Sequence, residues 1–212
     1  MGKTIFTIAR QYGSSGRMVG RKLADQLKIH YYDRELLRLA YNDSGIDEEL
    51  FYKADEKLKK TFFDYLARKK YRESWISPDS DEFTSDDNLF NLQAKIIRGI
   101  AEKESCVIIG RCADYILRGR GDVVRVYLHA PFEERLKAVL ALSPLSEEEA
   151  RKQMEKTDRL REEYYSYYTG GRVWNSADNY DLCIDTSRVT VDGCVDMIIR
   201  YMESIQRGKG GR

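Results

Sequence analysis

The chain has 212 residues, with 36 Lys and Arg set against 35 Asp and Glu, a net charge of +1 and 42% hydrophobic residues. That length suits one sizeable α/β domain with a core of its own. The near-neutral balance gives no bulk electrostatic pull toward nucleic acid or a membrane surface, and no apolar run approaches the roughly 18 residues of a membrane span. The N-terminus MGKTIFTIAR enters a strand at once, without the apolar core of a signal peptide, so a cytoplasmic location is expected. Cys106, Cys112, Cys183 and Cys194 form no CxxC pair. They read as buried, reduced thiols rather than a zinc site.

The first element is a strand over Thr4–Ala9, followed by the turn "RQYGSSGR" and a helix over Gly16–Leu27. Strand, glycine-rich turn and helix are the layout of a phosphate-binding loop, yet the GxxxxGK[ST] lysine is missing. Gly13 and Gly16 permit a backbone whose N–H groups converge on an anion, and Ser14 and Ser15 add hydroxyls. The helix adds its positive N-terminal end. Arg10, Arg17 and Arg21 surround the loop with cations that hold phosphate in a fork. Two registers fit. Aligning Gly16-Arg17 with the Gly-Lys pair puts Arg17 in the lysine role, Gln11 at the first glycine and Met18 at the hydroxyl. Aligning the helix through Val19, Leu23 and Ala24 puts Arg10 at the first glycine, Gly16 at the lysine and Arg17 at the hydroxyl. Neither leaves Ser or Thr at the usual metal-binding position, and the alternative of a plain strand–turn–helix stays open.

Further strands are expected over Ile29–Tyr32, Cys106–Gly110, Val123–Leu128 and Asp181–Asp185. Helices are expected over Arg34–Tyr41, about Asp47 to Tyr71, Asp86–Glu104, Arg111–Leu117, Pro131–Ala141, Ser146–Tyr168 and Val191–Gln206. Apolar strands alternating with helices indicate βα units and a three-layer α/β fold on a parallel sheet. The long separation of the second strand from the third exceeds a simple crossover. It implies a helical excursion that includes an acidic surface loop over Glu73–Asn88. A second excursion, around "TDRLREEYYSYYTGGRVWNSADNY", precedes the last strand. The tail "RGKGGR" is expected to be disordered.

Five ordered motifs resemble the cytidylate kinase-like family of P-loop nucleoside monophosphate kinases: "IARQYGSSGRMVGRKLA", "HYYDRELLRLAY", "CVIIGRCADYILRG", "VVRVYLHAPFEERLKAV" and "KTDRLREEYY" followed by "NYDLCIDTS". The likeness runs from about Thr4 to Met202. It implies a three-layer P-loop kinase fold of about five parallel strands flanked by helices. One kinase-like domain, 1–212, would carry an acceptor-binding insertion at about 34–104 and a lid at about 145–175. It further implies transfer of the ATP γ-phosphoryl to a nucleoside monophosphate such as CMP or dCMP, with Mg²⁺. In this subtype an RQYGSGGR-type loop characteristically replaces the lysine-bearing one. Arg10, Gly13, Ser14, Ser15, Gly16, Arg17 and Met18 would then hold the donor. Arg17, Asp33, Arg111, Asp158 and Arg161 would carry the chemistry: Asp33 facing the acceptor or a metal-bound water, Arg111 holding the acceptor, and Asp158 with Arg161 in the lid. Arg159 is second to Arg161 as the lid cation.

Each of these residues also has an ordinary reading. Asp33 suits the N-cap of the helix at Arg34. Arg111 suits a first-turn surface residue, and Asp158 with Arg161 a solvated i,i+3 ion pair. Tyr164, Tyr165, Tyr167 and Tyr168 suit a cover over the sheet, while Trp75 and Trp174 suit either a ligand or their own subdomain. His30 and His129 have no partners that imply catalysis. A nucleotide-binding regulatory protein with little catalysis, or a kinase for another small acceptor, are the competing functions. Small-molecule nucleotides are the expected partners, without nucleic acid or membrane. The oligomeric state is left open, a homodimer included.

Overall fold

The computed structural model describes residues 2–33 and 86–209. Five strands, β1 (Ile5–Arg10), β2 (His30–Tyr32), β3 (Cys106–Ile109), β4 (Val123–His129) and β5 (Leu182–Asp185), form one sheet. Its order is β2-β3-β1-β4-β5, and every neighbouring pair is parallel. The helices are α1 (Gly16–Leu27), α2 (Asp86–Lys103), α3 (Ala113–Ile116), α4 (Phe132–Leu142), α5 (Glu147–Tyr168) and α6 (Val191–Lys209), with a 3₁₀ turn at Ala177–Asn179.

The strands are apolar on both sides because both sides are covered. Ile5 and Ala9 of β1, Cys106 and Ile108 of β3, and Val123 and Tyr127 of β4 pack under α2, α3 and the end of α5. The alternating residues Phe6, Ile8, Val107, Ile109, Val124, Val126 and Leu128 pack under α1 and α6. Helix α1 comes close to the sheet at Gly20, where a Cβ would sit 2.6 Å from Ile109 Cδ1. Helix α5 differs from these core helices. A Ser146–Glu149 capping box starts it, and over its 22 residues only Ala150, Met154 and Tyr165 are buried. It is an arm laid across the carboxyl edge of the sheet rather than a core helix.

The strand ends fall within a residue of the sequence reading, and α1 matches it. Helix α3 is shorter than the expected Arg111–Leu117, because Arg111 and Cys112 take left-handed backbone (φ 61° and 53°) before the helix begins. Asp86–Asn88 open α2 instead of closing the acidic loop, and Arg207–Lys209 continue α6 instead of fraying. Cys183 is exposed, contrary to the expectation of four buried thiols, because β5 is an edge strand. Cys106, Cys112 and Cys194 are buried and free. The helices expected over Arg34–Tyr41 and Asp47 to Tyr71, the loop from Glu73 to residue 85, and Trp75 lie outside the described residues. Among the described residues no helix is long and apolar enough to cross a membrane.

Candidate active site

The loop between β1 and α1 is held from behind. The Gln11 N–H donates to Leu128 O at 3.0 Å, and the Gln11 side-chain oxygen accepts from the Ala130 N–H at 3.2 Å. The buried Ser14 hydroxyl donates to Gln11 O at 2.8 Å, so this serine ties the loop to itself. Gly13 has φ +79° and lies against α4, where a Cβ would be 2.9 Å from Arg135 O. Ser15 is left-handed too, with φ 57°. A non-glycine residue there stores roughly 1–2 kcal/mol. The result is a concave turn leading into the first turn of α1, whose leading N–H groups lack partners within the helix. Residues 10–18 line a cavity of about 270 Å³, closed on its far side by Ala138, Val139, Leu142 and Ser143 of α4 and by Arg161 of α5. Exposed Met18 and Leu142 form its apolar rim.

Helix α5 is tied to this loop chiefly through Asp158. Asp158 Oδ1 accepts from the Tyr12 N–H at 2.7 Å, and Oδ2 accepts from Arg135 Nη1 at 2.7 Å. Arg135, only 6% exposed, also donates to Tyr12 O and Ala130 O. Asp158 further pairs with Arg161 at 3.5 Å, and Arg161 Nη1 donates to Arg10 O at 3.0 Å. Both residues therefore reach well beyond a solvated i,i+3 pair. Asp158 positions the loop and the arginines, whereas Arg161 lies on the cavity itself.

A second cavity of about 360 Å³ opens on the other side of Arg10. Arg10, Arg17 and Arg161 line both. The second cavity adds Asp33 from the end of β2, and Gly110, Arg111, Cys112 and Asp114 beyond the end of β3. Thr157, Leu160, Tyr164 and Tyr165 of α5 close it, with Trp174. Arg17 Nε pairs with Asp33 Oδ2 at 2.7 Å. The Arg17 side chain is 55% exposed and Asp33 only 16%, so the arginine is the mobile partner. Burial, then Arg161, Arg111 and Arg17, push Arg10 down to about 9, with Asp33 opposing. Burial also lowers Arg161, against the pull of Asp158. Four arginines gathered around one cavity could hold a polyanion.

At its other end the second cavity is aromatic and acidic. Asp114 is buried, its Oδ2 accepts the Tyr165 hydroxyl at 2.7 Å, and burial raises its pKa. Trp174 meets Tyr127 edge-on with ring centres 5.5 Å apart, and Tyr180 donates to Trp174 O. Phe90 stacks on Tyr168 at 3.9 Å. Tyr165 and Tyr168 thus cover the sheet, and Tyr165 and Trp174 also border the cavity. Both cavities lie beyond the carboxyl ends of parallel strands, where open α/β sheets bind ligands.

The model of the cytidylate kinase-like family matches residues 5–188. The chain belongs to that family. Its structure is similar to the crystal structure of an uncharacterized protein from Eubacterium ventriosum, with a TM-score of 0.68, 28% identity, and coverage of 95% of this chain and 99% of that one. It also resembles shikimate kinase from Bacteroides thetaiotaomicron, with a TM-score of 0.48, 12% identity, and coverage of 94% and 98%. Among curated proteins, uronate isomerase of Corynebacterium glutamicum is 31% identical over 102 residues. That match takes in 47% of this chain but spans only 19% of the isomerase.

In this cytidylate kinase-like chain the structure brings together Arg10, Arg17, Asp33, Arg111 and Arg161 around two joined cavities, with Gly13, Ser14, Ser15, Gly16 and Met18 on the loop side. Arg21 stands apart, 4.9 Å over the Tyr31 ring, and exposed Arg159 lies 4.0 Å from Glu163. His30 is taken by Glu104 at 2.6 Å. Arg135 and Asp114 are the residues that sequence reasoning missed in these roles. Arg135 shares its helix face with buried Val139, and a cation on an apolar face is the signal that points to a buried partner. As for metal, Asp33 beside the arginines would suit an ion that keeps its waters and arrives on phosphates. Among the described residues there is no group of three His, Cys, Asp or Glu side chains that could hold one.

Proposed function

We propose that this protein is an ATP-dependent phosphotransferase. It would move the γ-phosphoryl of ATP to a nucleoside monophosphate such as CMP or dCMP. The observation that carries this reading is the sharing of Arg10, Arg17 and Arg161 by two cavities, one walled by a phosphate loop and the other by Asp33 and Arg111. Phosphoryl transfer needs donor and acceptor in line, with positive charge at the junction. The loop N–H groups and Ser15 would hold the donor phosphates. Arg111 would hold the acceptor phosphate, and Arg17 and Arg161 would neutralise the charge on the phosphoryl in flight. Asp33 would orient the attacking oxygen and, through water, hold Mg²⁺. When bound, that ion would supply further charge neutralisation between the donor phosphates. Helix α5 would exclude water and so suppress hydrolysis.

The test is ADP formation from Mg-ATP with a panel of monophosphates. Turnover with one or more of them, and little ADP without an acceptor, is expected. No turnover with any member would sink the reading. A second function is favoured by a specific pair of facts: Asp33 occupies Arg17 at 2.7 Å, and neither register of the loop puts a Ser or Thr where a hydroxyl would serve a metal. Tight nucleotide binding with no transfer would make the protein a nucleotide-responsive regulator. Turnover confined to acceptors outside the nucleoside monophosphates would make it a kinase for another small molecule.

A further inference from the structure

The missing lysine has a replacement in space rather than in sequence, and the case for it rests on reading the loop cavity as a phosphate site. The spacing of the first glycine and the lysine in GxxxxGK[ST] is the spacing of Arg10 and Gly16. A Cβ on Gly16 would lie 2.7 Å from both Cβ and Cγ of Arg10. Carbons do not approach so closely, so a lysine at 16 and an arginine at 10 exclude one another. A glycine at either position leaves room for a cation at the other. Beyond Gly16 the Arg10 side chain runs on to Gly110, whose own Cβ would collide with Arg10 Nη1. The arginine thus lies in a slot whose walls are bare backbone.

That slot aims the side chain at the right place. Arg10 borders both cavities. Among the described residues its guanidinium makes no hydrogen bond or ion pair, although Arg161 holds its carbonyl. Arg17, by contrast, is engaged by Asp33 and more than half exposed. Arg10 is a partly buried cation among cations, held down to a pKa of about 9, and an anion in the cavity would relieve that strain.

We propose that Arg10 is the loop cation in transposed form: the charge rises from the strand side across Gly16, instead of from the helix side, and binds the terminal phosphates of a nucleoside triphosphate. The register through Val19, Leu23 and Ala24 is then the true one, and Arg17 serves the phosphoryl from the acceptor side.

The test compares wild type, Arg10→Met, Arg10→Gly and the swap Arg10→Gly with Gly16→Lys. Each is checked for folding by thermal melting, then titrated calorimetrically with inorganic tripolyphosphate and with Mg-ATP. Losing a charge-assisted fork should weaken both ligands by more than about 30-fold in the Arg10→Met and Arg10→Gly proteins. The swap should recover affinity to within about fivefold of wild type. Arg10→Met keeps the unbranched apolar stem and removes the charge, so it decides the matter even if the swap fails to fold. Binding within about twofold of wild type in folded Arg10→Met overturns the proposal while leaving the kinase reading intact. So does a folded swap no better than Arg10→Gly. Wild type that binds neither ligand overturns both. Arg10-dependent binding with no transfer to any acceptor keeps the proposal and removes the kinase reading.

Discussion

The two cavities share three arginines but are built from different material. The loop cavity has one wall made of a backbone turn, fixed from behind by Gln11, Ser14, Asp158 and Arg135. The second cavity is side chains: an ion-paired Asp33, a left-handed Gly110–Cys112 turn, a buried Asp114 and a set of aromatic rings. Under the proposed function, the backbone turn would recognise what every nucleoside triphosphate has in common. The side chains would recognise what differs between acceptors, and they can be exchanged without rebuilding the sheet. The first cavity is thus the constant part of the site and the second its adjustable part.

The strongest way to break that division is at a shared residue. Arg161→Ala should lower kcat/KM by about 100-fold and weaken both substrates, since one cation is lost from each cavity. An effect confined to the acceptor KM would show that the cavities are independent. Arg17→Ala should weaken donor binding or turnover by more than about tenfold. A loss of under about twofold would show that its pairing with Asp33 is ordinary surface electrostatics. Asp158→Ala removes the acceptor for Tyr12 N–H and Arg135, so stability to denaturant should fall by about 2 kcal/mol. Rescue by asparagine should be incomplete, and an unchanged melting curve would dissolve the tether. Asp114→Asn should sharpen the contrast: the acceptor KM rises several-fold while the donor Kd stays within about twofold. The smallest effect is in pH. Arg10 sits near 9 when folded, well below an ordinary arginine, because it is buried among other arginines. Its charge therefore costs stability below pH 9, and that cost fades as pH rises. Without ligand, the stability advantage of Arg10→Met over wild type should begin to narrow as pH rises through about 9 and go on narrowing above it. A constant difference would place Arg10 in water.

How legible this was differs between the same two regions. The fold is written in runs such as TIFTIA, CVIIG and VVRVYL, since a strand covered on both faces must be apolar throughout. The loop was legible as a loop, but its register was not. Spacing says which residues lie near a cavity, whereas the contact of Gly16 with Arg10 is a matter of which side chain fills a volume. Asp158 was legible as a charged residue in the second excursion, yet its bond to the Tyr12 N–H spans the chain and leaves no periodic trace. Arg135 left a trace, as a cation in phase with Val139. Asp114 hides because its partner Tyr165 is on another helix. The helices expected between residues 34 and 71 fall outside the described residues, and with them whatever that stretch adds to the acceptor side.

In the proposed function a donor site is coupled to an acceptor site through common arginines. Calorimetric titration of Mg-ATP, alone and with saturating CMP, tests it most directly. Micromolar binding that CMP alters several-fold is expected, with a further change when Mg²⁺ is withdrawn. A folded sample that takes up no ATP at millimolar concentration would contradict it.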